Sequence, residues 1–196
     1  MIVLSMSDRK IFVTSDLHFG HNQPFIWEAR GFSSIEEMNE AYVRNWNEVV
    51  GENDAVYVLG DFIMGDSTEN IKYIHRLNGL IFVILGNHDT RNRQELYALN
   101  CPNIIGFEYV SVFSHRKYNF YLSHYPTMCS NYDDAKGLRS HLINLCGHTH
   151  TKNKFEHMGD NIIYHCEVDA HNGYPILLDD VIEDIKQFYY NMKLDN

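Results

Sequence analysis

Five short strings hold the residues able to do chemistry: Asp16-Leu17-His18, Gly60-Asp61, Gly86-Asn87-His88-Asp89, a lone His124, and Gly147-His148-Thr149-His150. Each is weak alone. An Asp-x-His after a strand is more often a turn than a ligand pair, Gly-Asp is a common turn dipeptide, and Gly-Asn-His-Asp can be a plain polar loop. Two imidazoles one residue apart behind a glycine are harder to dismiss. Taken together the residue types are complementary, because carboxylates, imidazoles and an amide carbonyl suit borderline divalent cations such as manganese, iron or zinc. One carboxylate bridging two such ions would hold them about 3.5–4 Å apart. The glycines ahead of Asp61, Asn87 and His148 allow tight turns that bring backbone and ligands close.

The elements that must position these groups are legible as short β-branched or aromatic runs. They cover residues 11–14, 55–59, 81–85, 110–113, 118–122, 142–145 and 162–164. The runs at 55–59 and 81–85 are almost wholly apolar, which suits strands covered on both faces. Ser33-Ser34-Ile35-Glu36-Glu37 offers a capping box, followed by Met38, Tyr42, Trp46 and Val49 at helical spacing, with Gly51 as a stop. Ile71, Ile74 and Leu77 repeat the pattern before Gly79, and a last amphipathic helix contains Val181, Ile182, Ile185, Phe188 and Tyr189. The first half therefore reads β-α-β-α-β and the second half is strand-rich, a layered α/β arrangement. Every candidate group follows directly on a strand, and the carboxyl ends of strands are where such sheets gather ligands.

In this order the strings resemble the signature of the calcineurin-like metallophosphoesterase superfamily, D-x-H, G-D, G-N-H-D/E, H and G-H-x-H, over residues 16 to 150. The resemblance implies an α-β-β-α sandwich with two mixed sheets and two bound divalent metal ions (Mn2+, Fe2+/3+ or Zn2+). Asp16, His18, Asp61 and His150 would hold one ion. Asp61, Asn87, His124 and His148 would hold the other, with Asp61 as the bridge. The implied reaction is hydrolysis of a phosphoester, with a metal-bridging hydroxide attacking phosphorus in line. His88, beside the ligand Asn87, is the candidate general acid. The match is similar in more detail to a small bacterial and phage branch, through Asp16-Leu17-His18-Phe19-Gly20-His21-Asn22, Asn45-Trp46-Asn47, and Val168-Asp169 ahead of Pro175. Protein phosphatases of the superfamily carry G-D-x-x-D-R-G at the bridge. This chain reads Gly60-Asp61-Phe62-Ile63-Met64-Gly65, which disfavours a phosphoprotein substrate.

Composition bounds the partners. At 196 residues with 44% apolar content, the expectation is a single domain over 1–196 with a real core. Sixteen basic against 26 acidic residues give a net charge of −10, which repels long polyanions, so no long nucleic-acid footprint is expected. A small phosphodiester or phosphomonoester is the expected substrate, with nuclease or cyclic-nucleotide phosphodiesterase activity as alternatives. A non-catalytic metal-binding interaction module is the alternative of another class. Cys101, Cys129, Cys146 and Cys166 form no C-x-x-C pair and read as buried, reduced thiols. Residues 1–7 lack a basic leader and no apolar run is long enough to span a bilayer, so a cytoplasmic protein with no membrane partner is expected.

Other polar residues divide into candidates and scaffold. His21, Asn22 and Arg91 are candidate substrate contacts, with Arg93 a possible second phosphate clamp or simply part of a solvated helix start. Asp89 either orients His88 or caps a helix over 91–99. His165 and His171, near Asp169, are candidates for a supporting or pocket role. His75, His115, His141 and His157 read as surface or locally hydrogen-bonded groups, and Phe25, Trp27, Phe32 and Trp46 as core rather than base-stacking residues. Asp179-Asp180 reads as the N-terminal charge of the last helix.

Overall fold

The computed structural model describes residues 9–129, 137–158 and 161–194, so the N-terminal stretch 1–7 lies outside the described residues. The first half alternates β1 (Ile11–Thr14), α1 (Pro24–Trp27), α2 (Ile35–Val49), β2 (Ala55–Val58), α3 (Ser67–Ile74), β3 (Leu80–Ile84), α4 (Arg91–Asn100) and β4 (Ile104–Glu108). The second holds β5 (Val110–His115), β6 (Tyr118–Ser123), β7 (Leu142–Cys146), β8 (Phe155–Met158), β9 (Asn161–His165), β10 (Ile176–Leu177) and α5 (Leu178–Leu194). The strands form two mixed five-stranded sheets, ordered β10-β1-β2-β3-β4 and β5-β6-β7-β9-β8. In the first, β1 to β4 run parallel and β10 antiparallel. In the second, β6, β7 and β9 run parallel between antiparallel edges.

Period-two alternation divides the core into two. Phe12, Val56, Val58, Ile81 and Val83 pack against Met38, Tyr42 and Trp46 of α2, Ile71 and Ile74 of α3, and Tyr97 of α4. Val13, Leu59 and Ile84 face the other way and join Phe120, Leu122, Ile143, Leu145, Ile162 and Tyr164 of the second sheet. The apolar stripe Leu178, Val181, Ile182 and Ile185 of α5 enters this same inter-sheet core. The helix starts have local causes: Ser34 accepts from Glu37 N at 3.1 Å, and the Glu37 carboxylate accepts from Ser33 N at 2.8 Å. The Asn45-Trp46-Asn47 segment is structural. Trp46 Nε1 donates to the Asn78 carbonyl at 2.9 Å, and Asn47 binds both the Arg76 carbonyl and Asn78 N.

Three expectations need correction. Phe25 does not fill the core but stands 67% exposed, because α1 is a single turn with no buried residue; Trp46 is fully buried, while Trp27 and Phe32 pack on the core half-buried. His141 is neither at the surface nor hydrogen-bonded through Nδ1, but buried edge-on to Tyr189. The Ile71-Ile74-Leu77 helix ends at Ile74, and Leu77 follows it into the core. The four cysteines are buried and free. No helix among the described residues is long and apolar enough to cross a membrane.

Candidate metal centre

Five loops leave the carboxyl ends of β1, β2, β3, β6 and β7 and meet at one rim. Strands β1, β2 and β3 run parallel in one sheet and β6 and β7 run parallel in the other, so within each sheet their carboxyl ends point the same way. The loops are laced by backbone hydrogen bonds, from Asp16 N to the Gly60 carbonyl (3.1 Å), His18 N to Asp61 O (3.0 Å) and Gly147 N to His124 O (2.9 Å). The lacing demands unusual backbone. Asp16, His18, Asp61, His148 and His150 all have positive φ, between 51° and 78°. Asp, Asn and His tolerate this left-handed region better than most residues, yet each such placement is strained and persists only where surroundings over-determine it. Gly60, at φ +96°, and Gly147 serve by lacking a Cβ: one would strike the His124 ring and the other Ser15 and Asp16.

The side chains converge in two sets, Asp16–His18–His150 and Asp16–Asp61–His124, each with donor atoms within 4.8 Å of one another. His18 Nε2 lies 3.1 Å from His150 Nε2, 3.6 Å from Asp16 Oδ1 and 3.7 Å from Asp61 Oδ2. His150 Nε2 is likewise 3.6 Å from Asp16 Oδ1. On the other side of Asp61, its Oδ2 is 3.7 Å from His124 Nε2, which is 2.9 Å from Asn87 Oδ1. Ligands bonded to one ion at about 2.1 Å stand roughly 3.0–3.4 Å apart, so these gaps are close to what a shared cation leaves. Asp16 Oδ1 is fully buried with no hydrogen-bond partner, an arrangement costly for a carboxylate unless a cation sits against it. The residues present fit a divalent metal.

The seven sequence-predicted ligands are not equally engaged. Asp16, His18, Asp61, His124 and His150 converge, and Asn87 joins through His124. The His148 ring sits edge-on to His124 with centroids 5.0 Å apart, outside both converging sets, while its backbone N donates to Asp16 Oδ2 at 2.8 Å. His88 is half-exposed; its N donates to Asp61 Oδ1 at 2.9 Å and its Nε2 lies 3.9 Å from Asp61 Oδ2. Of the candidate substrate contacts, His21 packs edge-on to His18 with centroids 5.5 Å apart, and Asn22 is exposed beside it. Arg91 is not brought to the site, but turns to solvent and pairs with Glu95 at 3.1 Å. Arg93 instead donates to the His88 carbonyl and to Ser67 Oγ.

Asp89 performs neither expected role. Its carboxylate turns inward and accepts from Asp61 N (2.8 Å), Gly86 N (2.9 Å), Phe62 N (3.4 Å) and Tyr97 Oη (3.2 Å), while Thr90 stands at the helix N-cap. It fixes the backbone of Asp61. Burial raises its pKa, the nearby Asp61 charge adds to that, and the backbone donors oppose it.

Behind His150 lies a support that the sequence reading left open. Val168-Asp169-Ala170 is a 3-10 turn beside β1, and Asp169 Oδ2 lies 3.2 Å from His150 Nδ1. With its proton on Nδ1 directed at this carboxylate, His150 would face inward with the Nε2 lone pair; Arg30 Nη2 also lies 3.1 Å from Nδ1. Arg30 holds Asp169 with two hydrogen bonds (3.0 and 2.8 Å) and also donates to the Asp16 carbonyl at 2.9 Å. Glu167, two residues earlier and fully buried, accepts from Thr149 N and Oγ1 and pins the loop between His148 and His150. His165 and His171 stay in this supporting layer, His165 against Glu167 and His171 against the His165 carbonyl. Sequence reasoning missed Arg30 and Glu167, since neither falls in a motif.

Electrostatics follow from this burial. Desolvation alone would raise Asp16, but the adjoining His18 and His150 imidazoles outweigh it and hold the group at about 2. Burial lowers the pKa of both His18 and His21, which favours their neutral forms. Burial works against both partners of the His150–Asp169 pair and is outweighed in each, raising His150 and lowering Asp169.

Comparison with known proteins agrees with this geometry. A family model described as calcineurin-like phosphoesterase matches residues 9–193. The uncharacterised protein MJ1445 of Methanocaldococcus jannaschii is 44% identical over 86 residues, 43% of this chain and 49% of that protein, so the match spans about half the length of that relative. The gene 66 protein of Mycobacterium phage L5 is 29% identical over 159 residues, covering 70% of this chain and 76% of its own. Among solved structures, the protein of unknown function AQ665 from Aquifex aeolicus shares the fold with a TM-score of 0.62 at 18% identity, over 90% of this chain and 99% of its own.

Proposed function

The chain belongs to the calcineurin-like phosphoesterase family, and on that premise we propose that residues 1–196 form one metal-dependent phosphoester hydrolase domain acting on a small phosphodiester or phosphomonoester. The observation that carries the reading is the convergence of Asp16, His18, Asp61, His124 and His150 around the unpartnered Asp16 Oδ1. Manganese, iron and zinc all suit this donor set. When bound, two such ions neutralise phosphoryl oxygens and acidify the attacking water.

The chain's own groups then have separable tasks. Asp61 stands between His18 and His124, its Oδ2 3.7 Å from the Nε2 of each, and Asp89 holds it through its backbone N. His124 has Nδ1 tied to the Leu59 carbonyl at 2.8 Å, which presents Nε2 to the centre. His88, half-exposed beside Asp61, is the group free to reach substrate and pass a proton to the leaving oxygen. That free imidazole, kept alongside the ligand set, also favours an enzyme over a non-catalytic binding module. A net charge of −10 speaks against a nuclease that tracks long strands.

The test uses chelator-stripped protein refilled with manganese and assayed on p-nitrophenyl phosphate and bis-p-nitrophenyl phosphate. Metal-dependent turnover of at least one, with two ions per chain, is expected. Two bound ions without turnover of either would overturn the enzymatic reading.

A further inference from the structure

Each sheet has two edge strands, and an edge is a row of unpaired backbone groups that proteins ordinarily blunt. Three of the four edges here are blunted. β10 has two residues, β8 carries Glu156 and His157 within it, and β4 holds Gly106 and a register shift against β3. The fourth, β5, is six residues long, pairs residue for residue with β6, and has no charge, proline or glycine from Val110 to Ser114. Among the described residues, no backbone hydrogen bond joins this strand to anything but β6. Phe113 turns into the inter-sheet core against Tyr57 and Phe120, which leaves Val110 and Val112 on the opposite face, 39% and 50% exposed. Beside the same edge, Ile105 of β4 and Ser111 of β5 line one cleft of about 240 Å3.

The charges at the two ends of β5 select what fits along it. Glu108 precedes the strand and Arg116 and Lys117 follow it, all three exposed, and Lys117 has no ion pair among the described residues. A second copy of β5 laid antiparallel brings the acidic end of each strand to the basic end of the other, twice over by symmetry. A parallel copy would set like charges together. In such a pair one residue must face its own copy, because facing residues send their N–H and C=O groups the same way. Centring on Val112 sets Val112 against itself and Val110 against Ser114, with Glu108 brought toward Arg116. The net charge of −10 opposes approach, but physiological salt confines that repulsion to about 8 Å, and the strand itself is uncharged.

We propose that the chain forms a two-fold symmetric dimer in which β5 of one copy pairs antiparallel with β5 of a second, centred on Val112. The second sheets of the two copies then continue into one another. Both free edges are consumed in the act, so assembly stops at two.

Sedimentation equilibrium at roughly 100 µM protein should give twice the chain mass of 23.0 kDa. The mass of one chain, or an assembly larger than two, would overturn the proposal. Val112→Lys places two ammonium groups face to face at the axis and should weaken association about a hundredfold or more, with the thermal midpoint little changed. A dimer that persists in this variant would equally overturn it. Cysteine variants read the register in the native fold, since all four native cysteines are buried. On oxidation, Val112→Cys should link two chains, because facing residues of an antiparallel pair lie within disulfide reach. Val110→Cys alone should not, its copy standing about 13 Å away along the strand, whereas Val110→Cys combined with Ser114→Cys should. Linkage through Val110→Cys alone, or none through Val112→Cys, would overturn pairing about Val112.

Discussion

The two halves of the candidate metal centre are built on different plans. Around Asp16, His18 and His150 the polar atoms are gripped from behind, with Arg30 holding Asp169, Asp169 meeting His150, and Glu167 pinning Thr149. Around Asn87, His88 and His148 the side chains are exposed or half-exposed, and His124 alone is buried, tied to the Leu59 carbonyl. Asp61 lies between the halves, with Oδ2 3.7 Å from both His18 Nε2 and His124 Nε2, and is itself held by Asp89. The contrast teaches where rigidity is placed. One half is organised by buried hydrogen bonds of the fold itself, and the other is completed by exposed or half-exposed side chains.

The strongest way to break this contrast is at the shared residue. Asp61→Ala should remove metal from both halves and lower turnover by about a thousandfold or more, read by elemental analysis alongside kinetics. Retention of one full ion would mean that the halves are independent. Next, His88→Ala should reduce kcat by roughly 10²–10⁴-fold with both ions retained; loss of an ion would move His88 from proton donor to ligand.

A subtler variant sharpens the asymmetry. Asp169→Asn keeps the size of the support behind His150 but weakens its acceptor, and should cost about 10–100-fold in manganese affinity at the buried half alone. Calorimetric titration resolves the two sites, and equal weakening at both would dissolve the distinction. The smallest effect is expected far from the centre. Asp179, in the first turn of α5, accepts from Arg116 and His115, which hold its pKa below the ordinary carboxylate value. A depressed folded pKa gives stability that is present above the unfolded value and lost as pH falls through the folded one. Denaturant midpoints of the unaltered protein and Asp179→Asn should therefore differ slightly near pH 6 and converge below about pH 3. Added salt should narrow the gap, since the ion pair is largely exposed.

How much of this was legible in the sequence depended on whether a residue's task was local. The candidate ligands stood out because few residue types bind such cations and each follows a strand. The strands Ala55–Val58 and Leu80–Ile84 were readable because burial on both faces leaves almost nothing polar in them. The missed strands carry weaker marks. Ile104–Glu108 is interrupted by Gly106, Phe155–Met158 is a sheet edge with Glu and His within it, and Ile176–Leu177 has two residues. Arg30 was invisible because its meaning depends on a chain that returns 139 residues later to place Asp169 against it. Asp89 was misread for the opposite reason: its sequence neighbours suggested His88 or the helix start, whereas its carboxylate points back to the amides of Asp61 and Gly86. Aromatic type alone could not tell that Phe25 faces outward, since a single helical turn has no periodicity to read.

The left-handed backbone at Asp16, His18, Asp61, His148 and His150 restricts how this centre could ever be altered. Retuning it for another metal would ordinarily begin by exchanging ligands, with Glu for more reach or Cys for a softer donor. At these five positions a substitute must first accept a conformation that costs most side chains about 1–2 kcal/mol, with Asn, Asp and Gly the principal exemptions. The usable alphabet is short, and most of it cannot bind a metal as well as what is already there. Change is more readily accommodated at Asn87 and His124, which carry no such backbone demand, so any drift in metal preference should begin on the open side.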